Sequence, residues 1–136
     1  MLSTIRTAGP VPPAVNTLYE GFAARDPALL LSALDPDFTV SASAGMPLAV
    51  GRVHTGALTA VTELWGVVHR TYDIAPIPDA MWTTSDDTVV VHGWYEGTVR
   101  RNGEPVRAEF VHLLRVDHDL VVELRQVTDT VAWGRP

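Results

Sequence analysis

Three side chains capable of polar chemistry fall within apolar strand-like runs of the C-terminal third: Tyr95, His112 and Gln126. His112 alternates with Phe110 and Leu114, so the two-residue period of a strand places its imidazole on an apolar face. An imidazole with its ordinary pKa of about 6.5 can serve as acid, base or hydrogen-bond donor at neutral pH. The alternative is a core histidine bonded to a neighbour. The amide and the phenol could orient a ligand carbonyl.

The elements that would carry these side chains are three runs rich in Val, Tyr, Phe and Leu, at residues 88–101, 104–116 and 120–129. An Asn-Gly pair and an Asp-His-Asp cluster separate them, which predicts a three-stranded antiparallel meander. Residues of matching parity on adjacent strands share a face. We therefore expect His112 and Gln126 to face the same cavity.

Composition narrows the function classes. A chain of 136 residues with 46% hydrophobic content fits one domain, and its net charge of −6 argues against nucleic-acid or anionic-membrane surfaces as partners. The chain contains no cysteine, and all of its Lys+Arg residues are arginine, which excludes thiol and Schiff-base nucleophiles. No signal-peptide pattern is visible at the start, so we expect a cytoplasmic protein.

No motif for a cofactor is found in the sequence. It contains neither a Gly-rich phosphate loop nor a Gly-x-Ser-x-Gly elbow, which argues against nucleotide binding and serine hydrolysis. The histidines other than His112 lack the paired spacing of zinc ligands. We expect no metal and no organic cofactor. These dispersed histidines are His54, His69, His92 and His118.

The N-terminal half is predicted to be mostly helical. An extended proline-containing arm over residues 1–13 leads to a helix from Ala14, whose apolar residues recur at helical spacing. Asp26 is expected to cap a short second helix that begins with Pro27, and residues 38–43 alternate as a first strand. The apolar residues of the first helix are Val15, Leu18, Tyr19 and Phe22.

A third helix and two further strands are predicted before the meander. Thr55 is a candidate cap for this helix, and two short proline-interrupted strands are expected at residues 71–77 and 80–84. This order of elements predicts an α+β domain with helices on one face of a curved sheet. The expected inward stripe of the third helix is Leu58, Val61, Trp65 and Val68, with Leu64 beside it.

Three segments resemble one family. The sequence ALDPDFTV leads into the first strand, HTGALTAVTELW covers the third helix, and NGEPVRAEFVHLLRVDHD followed by VVELRQVTD forms the closing strands. They are similar to the SnoaL-like and ketosteroid-isomerase-like branches of the nuclear-transport-factor-2-like superfamily. The resemblance implies a single domain over residues 14–130, followed by a tail at 131–136. It also implies a curved antiparallel sheet wrapped around the N-terminal helices as a cone-shaped α+β barrel with one apolar pocket.

In that fold the pocket walls would be ligand-binding apolar residues around a few polar groups. His112 matches the position where ketosteroid isomerases place a protonated acid and SnoaL-like cyclases a histidine. The catalytic candidates are His112, Gln126 and Tyr95. The ligand-binding candidates are Phe22, Phe38, Val40, Leu64, Val99, Phe110, Leu114, Leu124 and Thr128.

The chain departs from the catalytic patterns of the resembled enzymes at three positions. Gln126 stands where the cyclases have an aspartate, and an amide cannot take up a proton at neutral pH. The isomerase base position corresponds to about Ala42. The isomerase tyrosine corresponds to about Leu18, with Tyr19 one residue away.

Two functions fit these residues. The first is a small-molecule enzyme that resembles SnoaL-like polyketide cyclases, isomerases or dehydratases and uses His112 for acid–base chemistry. The second is a non-catalytic protein of the same fold that binds an apolar or aromatic molecule. The missing carboxylate at Gln126 favours binding, whereas a polar constellation in an apolar row favours catalysis, because burying such groups is costly.

The outer face of the meander predicts a homodimer. An uncovered face that combines a tryptophan, aliphatic side chains and a few charges is typical of an interface. We expect Trp94 near the centre of a two-fold contact. In the competing arrangement, the N-terminal arm or residues 131–136, with Trp133, cover this face. The outward residues are His92, Trp94, Glu96, Thr98, Val111, Leu113, Arg125 and Val127.

Overall fold

The computed structural model describes residues 5–136, so the first four residues of the expected N-terminal arm lie outside the described part. The fold is α+β, with helices against one face of a curved, unclosed sheet of seven strands in the order β1-β4-β5-β6-β7-β2-β3. The strands are β1 (Arg6–Ala8), β2 (Leu34–Ser41), β3 (Val53–Thr55), β4 (Tyr72–Thr83), β5 (Val89–Val99), β6 (Pro105–Asp117) and β7 (Leu120–Thr128).

The first two helices form as the sequence predicts. Helix α1 (Pro13–Ala24) buries its apolar face, and Arg25 ends it in the left-handed conformation with φ 51°. Helix α2 (Pro27–Ala33) begins at a proline, and its Leu29 amide donates to the Asp26 carboxylate at 3.2 Å. This cap satisfies one of the free N–H groups of the first turn.

The third helix differs from its prediction. It runs continuously through α3 (Ala57–Thr59), a π-helical turn (Ala60–Trp65) and α4 (Gly66–Thr71), and Gly56 rather than Thr55 precedes it. The buried residues Ala57, Ala60, Val61, Leu64 and Val68 follow helical spacing and define a face that does not include Leu58. Leu58 is 65% exposed, so its assignment to the inward stripe was wrong.

The three-stranded meander is confirmed. Strands β5, β6 and β7 pair antiparallel, and His112 lies opposite Val91 on one side and Gln126 on the other. The two short strands expected before the meander are one strand, β4, whose register shifts between Pro78 and Ala80. A bulge lets proline occupy a strand without removing a regular ladder bond.

Strand β2 begins earlier than residue 38. It extends the unclosed sheet between β7 and β3, a position that the local sequence does not reveal. It pairs in parallel with β7 and antiparallel with β3. Its register shifts between Leu34 and Thr39, so Asp35 and Pro36 lie in an irregular part of the strand. Parallel pairing joins segments that are distant along the chain.

Both terminal segments pack on the sheet. Arg6–Ala8 adds β1 in parallel to the edge of β4. Trp133, in the segment treated above as a tail, is only 2% exposed and packs edge-on against the ring of Tyr72. The Tyr72 hydroxyl donates to the Trp133 carbonyl at 3.0 Å, and the Trp133 indole N–H donates to the Thr128 hydroxyl at 3.1 Å. Residues 5–136 include no helix long and apolar enough to cross a membrane.

The burial of Trp133 generates a stability prediction. We expect Trp133→Ala to lower the free energy of unfolding by about 3–5 kcal/mol, because it removes a large buried aromatic side chain and leaves a cavity. Urea unfolding followed by circular dichroism measures the change. Val131→Ala is the control, since Val131 is 87% exposed. Equal stability of the two variants would show that the segment contributes nothing to the fold.

Candidate functional site

A cavity of about 140 Å³ lies between the helices and the sheet. It is comparable to the cavity of about 150 Å³ that holds benzene in an engineered protein core, so it can enclose about one aromatic ring. Its lining is mainly apolar. The lining residues are Gly21, Phe22, Arg25, Pro27, Leu30, Val40, Met46, Val61, Leu64, Trp65, Gly66, Val68, His69, Ile74, Pro76, Tyr95, His112, Leu124, Gln126 and Trp133.

The structure brings the three catalytic candidates Tyr95, His112 and Gln126 together in this lining. Phe22, Val40, Leu64 and Leu124 of the ligand-binding candidates also line the cavity, whereas the other five do not. Alternation along a strand assigns each residue to a face of the sheet. Only the residues at positions where the sheet and the helices separate border the cavity. The five residues that lie outside the lining are Phe38, Val99, Phe110, Leu114 and Thr128.

Two of these five residues, Phe38 and Phe110, pack against residues of the site. The Phe110 ring stacks on His112 with centroids 4.1 Å apart and contacts Tyr95 at 4.8 Å. Phe38 packs against Trp65 at 5.9 Å. Contacts of this kind fix side-chain rotamers in a close-packed core.

A buried hydrogen-bonded chain runs along the floor of the cavity. The Tyr19 hydroxyl lies 2.6 Å from His112 Nδ1, and the Tyr95 hydroxyl lies 2.7 Å from His112 Nε2. The Gln126 side-chain NH₂ donates to the Tyr95 hydroxyl at 2.9 Å. We call these four residues, from α1, β5, β6 and β7, the phenol–imidazole chain.

The orientation of the Gln126 amide follows from its contacts with Ser43. The Ser43 backbone N–H donates to the side-chain Oε1 of Gln126 at 3.1 Å, and the Ser43 hydroxyl donates to the backbone carbonyl of Gln126 at the same distance. Because an N–H can only donate, the amide oxygen must face Ser43 and the NH₂ must face Tyr95. The loop after β2 therefore sets the donor for Tyr95.

Sequence reasoning did not assign two members of this arrangement to the site. Tyr19 was placed on the apolar face of α1, but the family position pointed to Leu18, one residue earlier. The helical face that contained Tyr19 was the signal that could have found it. Ser43 gave no such signal, since its role depends on a loop that folds back on β7.

Burial changes the role expected for the histidine. His112 is 1% exposed, and desolvation lowers its pKa to about 3. The imidazole is therefore neutral at physiological pH, and the general acid–base role that assumed an ordinary pKa needs revision. Burial likewise raises the pKa of Tyr19 well above its usual range, an effect that nearby Tyr95 reinforces, and burial raises the pKa of Tyr95 despite the hydrogen bond from Gln126.

Counting protons assigns the tautomer. A neutral His112 and two phenols contribute three donor protons, but only two links join them, so one phenol O–H points elsewhere. A proton on Nδ1 would leave the buried Tyr19 O–H with no acceptor, which is costly. A proton on Nε2 instead lets Tyr19 donate to Nδ1, and Tyr95 then accepts from both His112 and Gln126. The free donor is then the Tyr95 O–H, which borders the cavity.

Polar groups also lie at the cavity mouth, where exposed Arg25 and partly exposed His69 belong to the lining. Arg25 donates to Asp73 at 3.1 Å, and Arg100 donates to the His69 carbonyl and ring Nε2 at 2.6 and 3.0 Å. No Asp or Glu in the described part of the chain lines the cavity. Within residues 5–136, no group of three or more metal-ligating side chains could hold a metal ion.

The sequence and the fold have known relatives. Residues 15–124 match the SnoaL-like domain. Two solved structures with 27% identity and a TM-score of 0.79 are an NTF2-like protein from Burkholderia thailandensis, with 93% of this chain and 96% of that chain covered, and TerC co-crystallised with polyporic acid, with 89% and 92% covered.

A more distant solved structure shares the fold. It is a protein with a ketosteroid isomerase-like fold from Catenulispora acidiphila, in complex with trimethylamine; its identity is 15%, its TM-score 0.76, and 93% of this chain and 96% of that chain are covered. No curated protein matches the chain.

The neutral histidine generates a spectroscopic prediction. We expect the ¹⁵N chemical shifts of the His112 ring to show a protonated Nε2 and a bare Nδ1, and to stay constant from pH 8 to pH 5. The same residue in urea-unfolded protein should titrate near pH ~6.5. Titration of the folded ring at that pH would contradict the assigned neutral state.

The same pKa difference predicts how stability depends on pH. Between pH 6.5 and 3 the unfolded chain binds a proton at His112 and the folded chain does not, so stability falls as the pH is lowered through that window. The resulting loss in the free energy of unfolding is about 2 kcal/mol at pH 5 relative to neutral pH. Urea unfolding of wild type and His112→Gln at both pH values should show this difference only in the wild type.

Proposed function

Because the chain belongs to the SnoaL-like domain family, we propose that it is a small-molecule enzyme of the cyclase or isomerase kind, acting on a carbonyl compound held against Tyr95. The observation that carries this proposal is the contact of Tyr95 in the cavity lining with both His112 and Gln126, which in the inferred tautomer leaves its O–H free to donate to a ligand. Its oxygen accepts hydrogen bonds from Gln126 and His112, which polarises the remaining O–H as a donor.

The chemical contribution of Tyr95 is stabilisation of negative charge on the carbonyl oxygen. When water or hydroxide from the cavity mouth takes a proton from the carbon next to a carbonyl, or a carbon nucleophile of the same substrate attacks the carbonyl carbon, negative charge develops on the carbonyl oxygen. A fixed donor in a desolvated site stabilises such charge, and loss of one donor typically lowers kcat by roughly 10²–10³. The raised pKa of Tyr95 keeps its proton in place at neutral pH, so it donates throughout the reaction.

His112 acts in this proposal as a positioning residue. Passing a proton from Tyr19 through His112 to Tyr95 would leave a buried Tyr19 phenolate, which its raised pKa disfavours. The phenol–imidazole chain therefore supplies hydrogen bonds to the ligand but no net proton. His112 holds the Tyr95 oxygen in place and donates to it as negative charge grows on the ligand.

The lining also restricts the substrate. With no carboxylate in the cavity, the site lacks the strong general base that removes a proton from an ordinary ketone. It suits compounds whose carbon acid is already activated, such as benzylic ketones and 1,3-dicarbonyl compounds of the polyketide type. The cavity volume of about 140 Å³ encloses about one ring, and the similarity to TerC, which was co-crystallised with polyporic acid, supports an organic ligand here.

A second candidate is a binding protein of the same fold that holds its ligand unchanged. The absence of Asp and Glu from the lining, together with an amide at Gln126, favours this alternative. The two candidates differ in one measurable property, the acceleration of proton exchange next to the ligand carbonyl.

We expect the protein to accelerate exchange of the α-protons of 2-tetralone with D₂O, measured by ¹H NMR. Tyr95→Phe should reduce this acceleration by roughly 10²-fold or more, because it removes the donor to the enolate oxygen. Tyr72→Phe is the matched control, since it also removes one buried phenol hydroxyl but not one at the cavity.

The outcomes separate the two candidates. Binding of 2-tetralone, seen as a rise in melting temperature, without faster exchange would favour the binding protein. Equal acceleration by Tyr95→Phe and wild type would contradict the role of Tyr95.

We also propose that the protein forms a two-fold dimer through the outer sheet face. Neither described terminal segment covers this face: β1 extends the sheet edge, and Trp133 packs on the cavity side. Ile77, Trp82 and Val127 are exposed on it. The ring of Trp94 lies 3.7 Å below the Arg107 guanidinium, an amphipathic pair of the kind enriched at interfaces.

Light scattering at micromolar concentration should give twice the chain mass. Trp94→Arg should give the mass of one chain, because a cation on each copy would face its counterpart across the two-fold axis. Leu58→Arg is the control, since it places the same charge on an exposed residue of the third helix. Single-chain mass for the wild type would reject the dimer.

A further inference from the structure

Two arginine side chains lie at or beside the cavity mouth, although the chain as a whole has a net charge of −6. Arg25 and Arg100 share one ion-pair partner, the Asp73 carboxylate, at 3.1 and 3.8 Å. The neighbouring Asp26 carboxylate accepts the Leu29 amide at the start of α2. An anion that enters the cavity therefore passes the Arg25 guanidinium, which belongs to the lining.

The Arg25 guanidinium has more N–H donors than its two hydrogen bonds use. Of its five N–H groups, one on Nη1 donates to the Ala23 carbonyl and one on Nη2 donates to Asp73, within the part of the chain that the structure describes. These two bonds hold the guanidinium beside the opening. Three N–H groups remain, and guanidinium N–H groups bind carboxylate oxygens strongly.

The backbone conformation of Arg25 determines which substitution can test its side chain. The residue ends α1 with φ 51°, in the left-handed region where helices usually place glycine or asparagine. Its amide N–H donates to the Phe22 carbonyl, as this C-terminal cap requires. Asparagine can therefore replace the side chain without disturbing the cap.

His69 is held in a defined state beside it. Arg100 donates to the His69 Nε2, and since a guanidinium cannot accept, that nitrogen must be bare and Nδ1 must carry the proton. The His69 pKa is lowered by partial burial and then by Arg100 and Arg25, which keeps the ring neutral at physiological pH. His69 thus offers an N–H donor in the cavity lining without adding charge.

From this arrangement we infer that the ligand is an aryl carboxylate, with its ring enclosed in the cavity and its carboxylate at the mouth against Arg25 and His69. The inference rests on the proposed function only for the ligand's orientation, with a carbonyl at the Tyr95 end. The mouth and floor then divide the recognition between them: a charged group near solvent and a neutral acceptor in the desolvated interior. A carboxylate at the mouth stays partly hydrated, which avoids the cost of burying it at the floor.

The probes are 4-acetylbenzoate and 4-acetylbenzamide, which share the ring and the ketone and differ in charge. Isothermal titration calorimetry should show the wild type binding the acid roughly tenfold more tightly than the amide, since hydrogen bonds to charged groups are the stronger ones. Arg25→Asn should abolish this preference. The variant should keep its fold, because asparagine is well suited to the left-handed position.

Arg6→Asn is the matched control. It removes the same charge and an Arg–Asp pair of the same 3.1 Å length, at β1, outside the cavity lining. It should retain the tenfold preference. If both variants lost the preference for the acid equally, net charge alone would explain the preference and the inference would be overturned.

Other outcomes are also decisive. The inference fails if the wild type binds acid and amide equally, if neither probe binds at millimolar concentration, or if the preference survives Arg25→Asn. Tyr95→Phe should weaken both probes and leave their ratio unchanged. If Tyr95→Phe affects neither probe while Arg25→Asn removes the preference, the carbonyl proposal fails and the carboxylate site stands.

Discussion

The desolvated imidazole of His112 is the constraint on which the arrangement of the site depends. It is buried without a charged partner, so both ring nitrogens need neutral hydrogen-bonding groups to offset the loss of water. Tyr19 and Tyr95 provide them at 2.6 and 2.7 Å. Helix α1 must therefore hold the Tyr19 hydroxyl within hydrogen-bonding distance of β6, and a shift of about 1 Å in any of these elements would leave a buried polar atom unpaired.

The same desolvation determines what the site can do. A histidine with a pKa near 3 cannot exchange protons at neutral pH, but as a neutral ring it transmits polarisation from Tyr19 to Tyr95. Gln126 occupies a position where a carboxylate would have raised the pKa of the histidine and placed a charge at the floor. An amide held by Ser43 instead keeps the floor neutral and directs a donor to the phenol.

Irregular backbone borders the cavity. Leu64 and Trp65, both in the π turn of the third helix, belong to the cavity lining. The bulge in β4 accommodates Pro78 and increases local strand twist. Trp133 then borders the cavity from the C-terminal segment. The hydrogen-bonding groups at the floor are neutral, whereas the Arg25 guanidinium lies at the mouth, so the two ends of the cavity differ in chemical character.

Strand period and turn chemistry determined the meander, the shared face of His112 and Gln126, and the helical face that includes Tyr19, because each is a local property of consecutive side chains. The tertiary structure alone decided that the Tyr19 hydroxyl meets the imidazole, that Trp133 enters the core, and that β2 pairs in parallel with β7. It also set the low pKa of the histidine. Periodicity specifies which face a residue occupies, whereas desolvation and hydrogen-bond partners depend on atoms brought together from distant parts of the chain.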